Sequence, residues 1–124
     1  MTRRTAQMDQ WSGEFGRNYT ERNPLNPEEL DASYNSKYGT TRTELNEQFL
    51  RTIDRSIKIL ELGSNVGAQL QCLQDMGFHN LYGIELQEYA VERSKALTKH
   101  INIIQGSAFD IPFKTKTPAS FQPR

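Results

Sequence analysis

The run Ile57-Lys58-Ile59-Leu60-Glu61-Leu62-Gly63-Ser64-Asn65-Val66-Gly67 decides how this chain folds. Its first half is β-branched and apolar, which suits a strand. Its second half is a glycine-rich turn, and Ala68 to Met76 then has the spacing of a helix. Strand, tight turn and helix make the opening unit of a nucleotide-type α/β site. Glycine serves such a turn because it has no side chain and accepts positive φ. Asn65, of the residue type next most tolerant of that conformation, stands at the middle glycine position. An acid, Glu61, lies at the strand tip, so the pattern is Glu-x-Gly-x-Asn-x-Gly.

Upstream, Thr41-Arg42-Thr43-Glu44 has the spacing of a capping box, in which hydroxyl and carboxylate each satisfy a free backbone N–H. The spacing of Leu45, Phe49, Leu50, Ile53 and Ile57 predicts a helix over 43–55 packed on the sheet. Asn26-Pro27-Glu28-Glu29 reads as a helix start, with Asn capping, Pro at the first position and acids at the positive end. That helix is expected to be brief and to end near Tyr34. Met8, Trp11, Phe15 and Tyr19 share a helical face, on a helix weakened by Gly13 and Gly16.

Downstream, Val66, Leu70 and Leu73 give the helix after the turn its buried face, and Gly77 is placed to end it. Leu81 to Glu85 is the second strand. Glu88 to Lys99 is the next helix, with Ala90, Val91, Ser94 and Leu97 inward, and Ile101 to Gln105 is the third strand. Right-handed crossovers make the sheet parallel, in order 3-2-1. The fold class is α/β, a Rossmann-like parallel sheet with N-terminal helices. From Lys114 onward there is no apolar run and there are two prolines. The C-terminal half of such a sheet is therefore expected to be missing, with the first strand left as an open edge. Three segments follow: an N-terminal helical cap over 1–42, a ligand-binding half-domain over 43–113 and a polar, disordered tail over 114–124.

Fifteen Lys plus Arg balance fifteen Asp plus Glu over 124 residues. That balance leaves no electrostatic footprint for nucleic acid or an anionic membrane. No stretch approaches the roughly 20 apolar residues needed to span a bilayer, and no apolar run follows Met-Thr-Arg-Arg as a secretory signal requires. A lone cysteine, Cys72, cannot form an internal disulfide and fits a reducing, cytoplasmic setting. With one Cys, and His79 and His100 far apart, no metal spacing exists. Cys72 is read as inert, Tyr34 and Tyr38 as packing residues with a pocket lining as the alternative, and His100 as a favourable charge at a helix end.

The Glu61-to-Gly67 turn resembles the first motif of the class I S-adenosylmethionine-dependent methyltransferases, an acid-x-Gly-x-Gly-x-Gly. The resemblance covers about residues 8–113. It implies S-adenosylmethionine as cofactor, with Glu61 beside its methionine end, near the amino group or an ordered water. It implies that Gly63, Asn65 and Gly67 let the backbone approach the methionine and ribose. Glu85, 18 residues after Gly67, is where Rossmann-type sites place an acid on the ribose, and the family binds both ribose hydroxyls there. Gly106-Ser107-Ala108-Phe109-Asp110-Ile111-Pro112-Phe113 looks like the Gly-Asp-Ala-x-x-Leu-Pro-Phe segment that wraps the adenine. Ser107, a weaker partner, then stands where the family has Asp at the adenine amino group, the Ala108 N–H is positioned for a ring nitrogen, and Asp110 caps or turns the loop. Arg42 offers a fork suited to the methionine carboxylate; the alternative is a surface arginine in a first helical turn.

Trp11 to Tyr19 resembles methylases found with pseudaminic-acid biosynthesis, which implies a sugar or sugar-derived acceptor. The expected activity is methyl transfer to a small molecule, with the chain acting as a cofactor-binding fragment and no general base named. Two alternatives stay open. One is a non-catalytic fragment that associates, with a second copy for instance, through the open edge. The other is an NAD-dependent dehydrogenase, which would prefer glycine at position 65 and no acid at position 61.

Overall fold

The structure is a computed structural model and describes residues 23–107. The helix expected around Met8 to Tyr19, the loop from Ala108 and the tail over 114–124 lie outside those residues. Two helices, α1 (Pro27–Tyr38) and α2 (Arg42–Leu50), precede an alternation of β1 (Lys58–Leu62), α3 (Ala68–Asp75), β2 (Asn80–Glu85), α4 (Glu88–Leu97) and β3 (Asn102–Gln105). The three strands form one sheet in the order β1-β2-β3, every pair parallel. This is the Rossmann-like topology that the sequence predicts.

The helix starts follow the expected chemistry. Asn26 Oδ1 accepts a 2.9 Å hydrogen bond from Glu29 N, with Pro27 in the first turn. The capping box at Thr41 and Glu44 is complete in both directions. The helix ends differ from expectation. α1 runs past Tyr34 to Tyr38, because its stop signal is Gly39 in the left-handed conformation. α2 ends at Leu50 rather than 55. There Arg55 gathers the carbonyls of Leu50, Arg51 and Ile53 at 2.7–3.3 Å and reaches Met76 O at 2.8 Å.

The early end of α2 overturns its expected apolar stripe. Phe49 is 69 % exposed, and Ile53 and Ile57 lie beyond the helix and are also exposed. The residue that α2 buries is Asn46, whose side-chain amide exchanges two 3.1 Å hydrogen bonds with Gln69 on α3. α2 thus packs on α1 and α3. An amide pair satisfies its own donors and acceptors, which makes a polar contact tolerable inside. α4 ends at Leu97, so His100 is not a helix-end charge but a residue at φ +62° in the link to β3.

The core lies between one face of the sheet and the helices. Leu70 and Leu73 of α3 meet Phe78, Leu81 of β2, Val91 of α4 and Ile103 of β3, with Ile59 and Leu50 against them. Each such side chain contributes about 2 kcal/mol through removal from water. Side chains alternate across a strand, so Leu60 and Leu62 point to the other face and stay 41 % and 52 % exposed. Among the described residues no strand pairs with the outer edge of β1.

Candidate functional site

Three parallel strands deliver Glu61, Glu85 and Ser107 to one end of the sheet, with the glycine turn beside them. The turn is tight: Gly63 N and Ser64 N both donate to Ile84 O, at 2.8 and 3.3 Å, and Gly67 N donates to Ser64 O at 2.9 Å. Gly63, Asn65 and Gly67 have φ of +71°, +52° and +92°. Gly67 is required twice over, because a Cβ there would meet Ile103 Cδ1 at 2.8 Å. A Cβ on Gly63 would meet nothing within 4 Å. The turn is therefore packed below and open above, the form that lets a ligand approach backbone.

Glu85 is neither solvated nor idle. Its Oε1 accepts from Asn65 N at 2.7 Å and its Oε2 from Gln87 N at 2.9 Å. Its own carbonyl accepts from Gly106 N at 3.0 Å, which ties the end of β3 to β2. Each carboxylate oxygen retains a lone pair for a second donor. Glu85 thus fixes the positive-φ residue of the turn while still able to accept from a ligand. Ser107, 5 % exposed, follows β3, two residues beyond Gln105, the register partner of Glu85.

Glu61 and Glu85 point to the same face, two residues apart in register, since Glu61 pairs with Gly83. Burial pushes the Glu61 carboxyl up to about 7, against the pull of the Arg42 guanidinium, and the charge of Glu85 adds to the rise. Arg42, in the first turn of α2, donates from Nη1 to the Tyr34 hydroxyl at 3.1 Å, with its Cζ 5.4 Å from that ring's centroid. Sequence reading left Arg42 between ligand and surface roles; the structure makes it a partly buried residue turned to α1 and within electrostatic reach of Glu61.

Four polar atoms around the turn are sealed from solvent without a hydrogen-bond partner: Arg42 Nε, Glu61 Oε1, Ser64 Oγ and Asn65 Oδ1. A buried polar atom left unmet costs about 1–3 kcal/mol, which a ligand meeting Arg42 Nε and Glu61 Oε1 would recover; Gln71 Nε2 and Arg93 Nε are unmet in the same way. One donor on a cation and one acceptor on an acid are the complementary poles of an amino-acid zwitterion. Sequence reading missed Ser64, and it ranked packing above a pocket lining for Tyr34 because an isolated tyrosine carries no ligand signal. Cys72 is buried, and burial raises its thiol to about 11. No group that could hold a metal ion is found among the described residues, and no helix among them is long and apolar enough to cross a membrane.

Residues 60–119 match the family described as the methyltransferase domain. The matched stretch starts inside β1, spans the glycine turn and all that follows to β3, and runs past Phe113, where the resemblance read from sequence ends. No curated protein matches the chain. Among solved structures, the PH0226 protein from Pyrococcus horikoshii OT3 is similar with a TM-score of 0.58 and 23 % identity, over 81 % of this chain and 47 % of that one. The plantazolicin methyltransferase BpumL, in complex with a pentazolic desmethylPZN analog and SAH, is similar with a TM-score of 0.48 and 19 % identity, over 90 % of this chain and 41 % of that one. The chain spans less than half the length of either structure. The likeness to the first establishes the Rossmann-like fold, and the family match covers residues 60–119, just under half of the chain.

Proposed function

We propose that this chain carries the S-adenosylmethionine site of a methyltransferase acting on a small molecule. The observation that supports it most is the opposed pair of unmet groups, Arg42 Nε and Glu61 Oε1, beside an open glycine turn. In this reading Glu61 accepts from the ammonium of the methionine end, and Arg42 takes its carboxylate with charge-assisted hydrogen bonds. Gly63, Asn65 and Gly67 bring backbone against the methionine and ribose. Glu85 receives the ribose hydroxyls on its remaining lone pairs, and Ser107 and the Ala108 N–H serve the adenine.

S-Adenosylmethionine supplies a methyl carbon on a sulfonium, so an acceptor lone pair forms the new bond while the carbon–sulfur pair returns to sulfur and the acceptor's proton departs. The chain's own share is orientation: a cofactor gripped at its amino acid, ribose and base presents its methyl group along one line. The buried acid at Glu61 opposes an NAD-dependent dehydrogenase, since a pyrophosphate against the turn would face like charge. We take the acceptor to be a sugar or sugar-derived metabolite, on the resemblance of Trp11 to Tyr19, and the setting to be cytoplasmic, in keeping with a single buried thiol. Leu60 and Leu62, exposed on the face of β1 turned from the core, suit association with a second copy, a non-catalytic alternative.

Equilibrium dialysis of the folded chain against labelled S-adenosylmethionine, and separately against labelled NAD, tests the proposal. Saturable retention of the first alone is expected. Retention of NAD alone, or of neither, would reject it.

A further inference from the structure

We infer that Tyr34 is a positioning residue for ligand carboxylate recognition: by holding Nη1 of Arg42 it leaves the Nε–Nη2 edge of the guanidinium to receive that carboxylate side-on. The inference rests on the amino-acid-binding reading above and adds the residue that orients the arginine and the edge it presents.

A guanidinium has two bidentate edges, Nη1 with Nη2 and Nε with Nη2. In this protein Nη1 is engaged by the Tyr34 hydroxyl at 3.1 Å. Nε is sealed from water and has no partner. The donor whose hydrogen bond is still to be made is therefore on the side-on edge. An arginine side chain has several rotatable bonds, and fixing one of its nitrogens removes most of the freedom that a ligand would otherwise have to freeze.

Tyr34 is itself held. Its ring lies 5.2 Å from that of Tyr38, one turn further along α1, and beneath the Arg42 guanidinium. One turn earlier, Asp31 takes both the backbone N–H and the hydroxyl of Thr43, at 2.9 and 2.6 Å. Thr43 is the neighbour of Arg42, so α1 is fastened to the first turn of α2 one helical turn before the tyrosine contact. Asp31, Tyr34 and Tyr38 follow the three- and four-residue spacing of one helix face. α1 buries no residue of its own, so its contribution is to hold the arginine rather than to fill the core.

The test compares S-adenosylhomocysteine with 5′-methylthioadenosine, which keeps the adenine, ribose and sulfur but lacks the amino acid. Calorimetry on the full chain should show Tyr34→Phe weakening S-adenosylhomocysteine about tenfold while leaving methylthioadenosine unchanged. Arg42→Lys should lose the same discrimination, and adding Tyr34→Phe to it should cost nothing more. A folded Tyr34→Phe that keeps the wild-type ratio between the two ligands, or losses that simply add in the double variant, would overturn the inference. A second measurement needs no tyrosine substitution. The Arg42 Nε–H resonance, assigned by its disappearance in Arg42→Lys, should shift with S-adenosylhomocysteine and not with methylthioadenosine. No shift with a bound S-adenosylhomocysteine would also overturn it. If the wild type binds neither ligand, the methyltransferase reading itself fails, which is a different result from lost discrimination.

Discussion

The Glu85 carboxylate holds the backbone N–H of Asn65 at 2.7 Å, and Asn65 is the non-glycine residue of the turn at φ +52°. An acid at the end of β2 thereby sets the shape of a turn that follows β1. Glu85→Ala removes the acceptor for the N–H groups of both Asn65 and Gln87. The expected cost is about 2 kcal/mol of stability, together with loss of adenosine-ligand binding. Glu85→Gln keeps one carbonyl acceptor and should cost roughly half as much. Thermal unfolding beside ligand titration separates the two effects.

Two glycines of the same turn should respond differently to alanine. In Gly67→Ala the new Cβ collides with Ile103 at 2.8 Å on a backbone of φ +92°. The expected destabilisation is about 2 kcal/mol or more, from strain and overpacking together. In Gly63→Ala the Cβ enters open space, so only the left-handed backbone costs, about 1 kcal/mol. That variant should fold and yet bind S-adenosylhomocysteine more weakly, because its methyl group stands where the ligand approaches. Denaturation midpoints and calorimetry on the two variants check the contrast.

Glu61 makes a prediction in pH. Its carboxyl is raised to about 7 in the folded chain, chiefly by burial, from the ordinary 4.5. Between those values the folded state binds more protons than the unfolded one, so its contribution to stability is full below about pH 4.5 and is lost as pH rises through 7. Glu61→Gln abolishes that loss and should raise Tm by several degrees at pH 8, on the order of 2 kcal/mol, and by little at pH 5. Ligand binding should move the opposite way. Affinity of the wild type for S-adenosylhomocysteine should rise from pH 6 to pH 8 as Glu61 ionises, and Glu61→Gln should bind weakly throughout.

Cys72 should be silent. Buried on α3 with its thiol raised to about 11, it offers little thiolate at pH 8, and the thiolate is the reactive form. A thiol reagent should label the native chain slowly and the denatured chain at once. Fast native labelling would show that the helix opens readily.

The sheet was legible because its signals are local and repeated. Ile57 to Leu62 announces a strand, Gly63 to Gly67 a turn, and Leu70 with Leu73 a buried helix face. Helix starts were legible too, since Asn26 and Thr41 cap through residues three positions away. Helix ends were harder, because Arg55 stops α2 from outside it and Gly39 stops α1 beyond the point where its pattern fades. The inward face of α2 misled, since apolar Phe49 is exposed while polar Asn46 is buried against Gln69, 23 residues on. In the site, Glu61 and Glu85 could be named from spacing to the glycine turn. The Tyr34 contact to Arg42 could not, because it depends on how α1 folds back over α2. The hydrogen bond from Asn65 to Glu85 was hidden in the same way, by a separation of 20 residues.

The most direct test is the calorimetric difference between S-adenosylhomocysteine and 5′-methylthioadenosine on the wild-type chain and on Glu61→Gln. If Glu61 and Arg42 read the amino-acid end, the wild type binds S-adenosylhomocysteine at least tenfold more tightly, and the gap narrows in the variant. Equal affinity of a folded wild type for the two ligands would contradict the account, because the unmet groups beside the turn would then serve something other than a zwitterion.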